Sequence, residues 1–356
     1  MASSMVSLRA VPQLTAASWP RWLGRRGRSV GVDLSPEGIA LAQIEPSRYR
    51  AQLTALASLG VPEGAFQECE IADPVALAER IRAGLGEHNL KPRQAAAAVL
   101  AQQAFFQPIL LPAGLEAEAL REALFEREAP RYLPEPLAEL AVDYQVLDTV
   151  EVEGGQLQTQ VLLVALRRAI ADRYWETFQQ AGLELAVLEI DSFAQLRALR
   201  ERLRPLSSYD AAMLLDIGGD RSELTVVVDG VPQSHRTLPL GCDRLQPPTE
   251  MASTELTATT PQLPDWVTLA EEIERSVALQ RDRNEGIEVV QLLLAGAGAS
   301  IEGLARARRE RLQLPVVPVD PLEPLSEQQQ ATPSNTERPR WTTAIGLALR
   351  AAREHA

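Results

Sequence analysis

The chain has 356 residues, enough for two domains or one domain with an insertion, and 46% of them are hydrophobic. A formal net charge of −13 argues against nucleic acid as a main partner, because phosphate contacts need clustered cations. Two cysteines, Cys69 and Cys242, are too few for a disulfide framework or a cysteine metal site, and no apolar run reaches the roughly 18 residues that span a bilayer.

Residues 1–29 contain no acidic residue and carry Arg9, Arg21, Arg25, Arg26 and Arg28 beside Trp19 and Trp22. This reads as a basic disordered tail, with a weak membrane-surface tether as the sharper alternative. Folded structure is expected from Val30: "SVGVDLSPEGIALAQIE" reads strand, turn, strand, and "AQLTALASLGV" adds a third strand. Asp73 and Pro74 are an N-cap and a first-turn proline, opening a helix with Ala78, Ile81 and Leu85 on its apolar face. "QAAAAVL" is the next strand, so the first subdomain (30–102) reads β-β-β-α-β.

Residues 103–184 have a different texture and read as a small inserted α/β subdomain. It comprises extended "AFFQPILLP", the amphipathic helix "LEAEALREALFEREA", a proline-broken lead into "LAVDYQVL", the strand "LQTQVLLVAL", and a helix with Ile170, Tyr174 and Phe178 in one stripe. Gly182 stops that helix. Residues 185–207 return to the first subdomain as a strand and a helix capped by Ser192. A second domain is expected over 208–330. It opens on the hairpin "LLDIGGDRSELTVVVDG", loses packing texture over 246–266, and resumes with a helix whose capping box is Thr268 and Glu271. "VVQLLLAGAGAS" is a buried strand running into a glycine turn and a helix start. A loose linker follows, and a final helix over 340–356 is expected to pack back on the first subdomain.

The chemistry lies in three segments that rhyme. "GVDLSPEG" and "LLDIGGDRSE" both place an aspartate at the end of an apolar strand before a tight turn, and "LLLAGAGAS" ends a buried strand in glycines. Two such hairpins facing each other can hold phosphates through turn N–H groups. Their aspartates can hold Mg²⁺ through water, and a glycine turn at a helix start lets a nucleoside lie against the backbone. Lys91 is the single lysine and lies outside any glycine-rich loop, so a P-loop is absent, and His88, His235 and His355 are isolated from one another.

With these segments, "RYLPEPLAELAVDYQVL" and "VLLVALRRAIADRYWETFQQAGLELAVLEIDSFA", the chain from Val30 onward resembles the PilM family of actin-like type IV pilus assembly proteins, itself similar to the cell-division protein FtsA. The resemblance implies an actin-like (RNase H-like) two-domain α/β fold with an inserted small α/β subdomain. It also implies a cytoplasmic adaptor, peripheral to the inner membrane, that binds the cytoplasmic N-terminal tail of PilN. Through this contact the pilus motor ATPases and platform protein couple to the periplasmic alignment complex. Asp33 and Ser35 match the family's first phosphate hairpin, and Asp216, Gly218 and Gly219 match the second. Gly296 and Gly298 fall in the adenosine turn, and Glu189 and Asp191 in the connecting strand and helix. The implied cofactor is ATP with Mg²⁺ held through water by Asp33 and Asp216, and no residue is assigned a catalytic role. The partner groove lies between the first subdomain and the insertion, with Leu110, Leu111, Tyr132 and Leu133 as its hydrophobic candidates.

The first turn departs from the family pattern. Pro36 has no N–H, Glu37 adds a negative charge, and a lysine common on the following strand is Ala40 here. A carboxylate ~4 Å from a phosphate charge costs roughly 4 kcal/mol at an effective dielectric of 20. Weak or absent nucleotide binding without hydrolysis is therefore expected. The alternatives are an active ATPase or sugar kinase of the same fold, and an FtsA-like filament scaffold.

Overall fold

The computed structural model describes residues 29–45, 51–152, 154–245, 265–283, 286–301, 314–327 and 333–353. The expectations for the basic tail (1–28) and for the Thr/Pro-rich stretch (246–264) lie outside the described residues. The chain divides into two compact units, residues 1–197 with 325–331 and 343–356, and residues 198–324 with 332–342.

In the first unit, β1 (Ser29–Ser35), β2 (Gly38–Glu45) and β3 (Gln52–Leu59) form an antiparallel meander. A two-stranded ribbon, β4 (Phe66–Gln67) and β5 (Glu70–Ile71), leads to α1 (Pro74–Glu87). Asp73 caps α1 by accepting from the N–H groups of Val75 and Ala76, each at 3.0 Å, and Pro74 takes the first turn, where a missing N–H is harmless. β6 (Gln94–Val99) then pairs parallel to β1. Its alanine run is buried on both faces, as in a central parallel strand.

The inserted piece starts at β7 (Ala104–Pro112), followed by α2 (Ala117–Glu122), a π-helical stretch (Ala123–Glu128) and α3 (Ala129–Tyr132). β8 (Leu140–Val152) and β9 (Gln156–Arg167) complete an antiparallel sheet in the order β7-β9-β8. Its small core joins Ile109, Leu111, Val161 and Leu163 to Leu120 and Leu124 of the helical run. α4 (Arg168–Ala181) follows β9 directly. Its stripe Ile170, Tyr174 and Phe178 is buried in the main core with Leu77, Ile81 and Leu85 of α1. Gly182 ends it at φ 79°, the left-handed conformation glycine adopts without strain. β10 (Glu184–Ile190) adds parallel to β6, and α5 (Asp191–Ala198) starts one residue before the expected cap Ser192.

The second unit repeats the pattern. After α6 (Arg200–Leu203) come β11 (Asp210–Ile217), β12 (Ser222–Val228) and β13 (Val231–Leu238), an antiparallel meander, then α7 (Cys242–Leu245) and α8 (Asp265–Arg283). β14 (Glu288–Ala295) and β15 (Val316–Pro318) run parallel to β11 and to each other. Thr268 is therefore inside α8 and not its cap. Apolar residues of β11, β12 and β14 pack against Leu269, Ala270 and Ile273 of α8.

The chain then returns to the first unit. β16 (Ser326–Glu327) pairs parallel to β3, so this segment of the expected second domain belongs to the first unit. α9 (Thr342–Arg353) brings Leu347 and Ala351 against Ala96, Ala98, Val187 and Ala194. The strand orders, β10-β6-β1-β2-β3 with β16 at the edge and β13-β12-β11-β14-β15, are one topology used twice. In each, an antiparallel meander is flanked by two parallel strands beside its first strand. That duplication is the actin-like (RNase H-like) fold.

Candidate functional site

Asp33 sits two residues before the end of β1 and is partly exposed between buried Val32 and Leu34. β1 and β2 are joined by the two residues Pro36 and Glu37, with Ser35 paired to Gly38. The Ser35 hydroxyl donates to the Gly38 carbonyl at 3.2 Å, so its proton closes its own turn. Pro36 has no N–H to offer, and Glu37 is exposed beside it. The first hairpin therefore does not fit an anion well: one hydroxyl is engaged, one donor is missing and one carboxylate is added.

Tyr174 of α4 is 2% exposed, and its phenol feels the charges of both Asp33 and Asp191. Burial first, then Asp33 and Asp191, push that phenol far above its ordinary range. Tyr174 thus stays a neutral O–H group. Asp191 accepts from the N–H groups of Ala101, at 3.1 Å, and Ser192, which fixes it at the start of α5. Sequence reading places Tyr174 in an apolar stripe and misses the electrostatic influence of Asp33 and Asp191 on its hydroxyl, because helical periodicity records only its buried ring.

Glu189 has a different position. Its carboxylate is fully buried and bound by both terminal nitrogens of Arg197, with Nη2 at 2.6 Å. Arg197 Nη1 also donates to the Gly346 carbonyl of α9 at 3.2 Å. Glu189 accordingly braces strand, helix and C-terminal helix and is sealed from a solvent-borne ligand. Beside it, Gln195 donates to Thr343 at 3.1 Å.

In the second unit, the Gly218 N–H closes the hairpin turn onto the Arg221 carbonyl at 2.9 Å. The Gly218 and Gly219 carbonyls accept from the N–H groups of Cys242 and Asp243 at 2.8 and 2.9 Å. Gly241 packs so closely on this turn that a Cβ there would lie 2.2 Å from the Gly219 carbonyl oxygen. At the tip, Arg221 pairs with Asp220 at 2.6 Å. Asp216 lies against the glycine turn after β14. Gly296 is at φ 79°, and a Cβ on it would stand 2.2 Å from Asp216 Oδ1. A Cβ on Gly298 would meet Ile217 Cγ2 at 2.2 Å. The structure brings Asp216, Gly218, Gly219, Gly296 and Gly298 together, and packing alone already requires Gly296 and Gly298 to be glycine. Among the described residues no group of three or more His, Cys, Asp or Glu side chains is placed to hold one metal ion.

The hydrophobic candidates separate. Leu111 is 2% exposed and belongs to the small core, with Leu133 partly buried against it. Leu110 points to the other face of β7 and is 44% exposed, and Tyr132, at the end of α3, is 45% exposed. Val146 and Leu157 are exposed on the same three-stranded piece, so it carries four of the eight large hydrophobics exposed among the described residues. No helix among the described residues is long and apolar enough to cross a membrane.

A family model described as type IV pilus assembly protein PilM matches residues 31–251 and 263–352. A solved structure of a PilM–PilN type IV pilus biogenesis complex superposes with a TM-score of 0.76 at 27% identity, over 92% of this chain and 99% of that one. The ethanolamine utilization protein EutJ from Carboxydothermus hydrogenoformans aligns over 92% of this chain and 90% of its own, at 17% identity and a TM-score of 0.45. An archaeal actin homologue aligns over 92% and 98%, at 11% identity and a TM-score of 0.41.

Proposed function

Because the chain belongs to the PilM family of type IV pilus assembly proteins, we propose that it is a non-catalytic adaptor. It binds the cytoplasmic N-terminal tail of a PilN-type inner-membrane protein and couples it to the cytoplasmic pilus motor and platform. The observation that carries this reading is the concentration of exposed apolar side chains, Leu110, Tyr132, Val146 and Leu157, on the inserted three-stranded piece. Leu110 lies on one face of this sheet and Val146 and Leu157 on the other, so Leu110 and Tyr132, the exposed members of the expected groove, are the candidates for the contact. The similar complex, in which a PilM is described with a PilN, supports the choice of partner.

The test is capture of the PilN tail peptide by the full chain and by Leu110→Ser and Tyr132→Ser variants. Both side chains are about half exposed, so the fold tolerates the changes. Capture falls at least tenfold in one or both variants; capture unchanged in both would remove these residues from the interface.

Nucleotide is not needed for this role. The first hairpin fits a phosphate poorly. The chain is expected to bind Mg-ATP no more tightly than about millimolar, worth roughly 4 kcal/mol. Calorimetry giving a micromolar constant would refute that expectation, and steady phosphate release would favour the alternative reading, an actin-like ATPase or kinase.

A further inference from the structure

The stretch from β7 through β9, residues 104–167, holds eleven acidic residues against four arginines, and its net charge of −7 is more than half the chain's −13. Much of that charge lies on the helical run from α2 to α3. Leu120 and Leu124 bury the inner face of the run, and its outer face is exposed. Glu118, Glu122 and Glu126 fall on successive turns, and all three are exposed. Glu118 has Arg121 at 3.8 Å, whereas Glu122 and Glu126 have no cationic partner among the described residues. Like charges one turn apart repel, so the row favours a cation laid across it. Tyr132, 45% exposed, ends the same run and adds an apolar ring.

The chain itself holds the complement. Residues 1–28 carry Arg9, Arg21, Arg25, Arg26 and Arg28 and no acidic residue, with Trp19 and Trp22 among the arginines. They join the chain at β1, in the unit that also contains residues 104–167. A stretch of that length spans up to roughly 90 Å, against a radius of gyration of about 17 Å for a unit of this size. A second copy is a poor occupant, because it brings the same negative row. We propose that residues 1–28 dock on the outer face of the α2–α3 run of their own chain. Arg21, Arg25 and Arg26 lie against Glu122 and Glu126, and the tryptophans cover Tyr132. The docking stands without the adaptor reading. Taken together with that reading, which puts Tyr132 in the partner contact, the docked tail screens that contact.

The test is paramagnetic broadening in the ²H,¹⁵N-labelled full chain with a nitroxide on Ser18→Cys; Cys69 and Cys242 are buried and escape the label. At about 50 mM salt the amide signals of residues 116–132 broaden, and about 0.5 M NaCl relieves the effect, because exposed charges are then screened. Glu122→Lys with Glu126→Lys removes the broadening. Adding Arg21→Glu, Arg25→Glu and Arg26→Glu to that variant restores it, since the two charges are then exchanged. Absent broadening, broadening that survives Glu122→Lys with Glu126→Lys, or an exchanged chain that does not regain it would overturn the docking. Equal broadening of an unlabelled ¹⁵N chain mixed with a nitroxide-bearing ¹⁴N chain would place the tail on a second copy instead. A nitroxide immobilised only when phosphatidylglycerol vesicles are added would assign the tail to a membrane. Capture of the PilN tail peptide rises at least about threefold when Arg21, Arg25 and Arg26 are replaced by Ser. Unchanged capture in a variant that has lost the broadening would remove the screening and not the docking.

Discussion

Glu189 and Arg197 form a bidentate pair whose side chains are 0% and 4% exposed. Removing one partner of such a pair leaves a buried charge without compensation, at a cost of about 3–5 kcal/mol. Arg197→Met is therefore expected to lower the urea midpoint sharply, while the double change Glu189→Leu with Arg197→Met recovers most of the loss. His235 offers a second residue-scale prediction. Burial pushes its imidazole down to about 4 from the ordinary 6.5, although Glu223 lies 3.6 Å away and pulls the other way. The folded state thus holds His235 neutral, and stability is full above the unfolded pKa. As pH falls below 6.5 only the unfolded chain takes up the proton. The loss reaches about 2 kcal/mol by pH 5. Denaturant midpoints at pH 7 and pH 5 should show this slope in the native chain and a flatter one in His235→Asn. Equal slopes would mean that the ring takes up its proton as readily in the fold as in the unfolded chain.

At the scale of elements, α9 is held by backbone approach. A Cβ on Gly31 of β1 would meet Ala348 N at 2.4 Å, and a Cβ on Gly346 would stand 1.8 Å from the Ala194 carbonyl oxygen. No rotamer relieves a clash with backbone. Gly346→Val is expected to destabilise the first unit by more than the 1–3 kcal/mol of ordinary overpacking, and to expose α9 to proteolysis. A variant with native melting would show that α9 is not docked there. Period-2 alternation and the Asp73–Pro74 start made β1, β2, β3, α1 and β6 readable. The apolar stripe of α4 says that it is buried and not what it packs against, so its contact with α1 is not legible in the sequence. β16 has two residues and lies in a proline-rich stretch, too short for any period. Thr268 has cap chemistry, yet α8 is already formed at Asp265, so its hydroxyl is not at a helix end.

For the whole molecule, the duplicated sheet order was foreshadowed by the two Asp-containing hairpins, whereas the candidate site was legible only in part. Asp216 and its glycines were readable because each performs a local backbone task. The burial of Glu189 by Arg197 and the company Tyr174 keeps with Asp33 and Asp191 were not, because they join segments distant in sequence. The poor fit of the first hairpin to phosphate and the exposed Leu110 and Tyr132 are what the proposal of partner binding without nucleotide rests on. Calorimetric titration of the PilN tail peptide into the full chain, without nucleotide and with excess Mg-ATP, tests this most directly. The account predicts measurable binding in both cases with affinities within threefold. Binding that appears only with Mg-ATP, or no binding in either case, would contradict it.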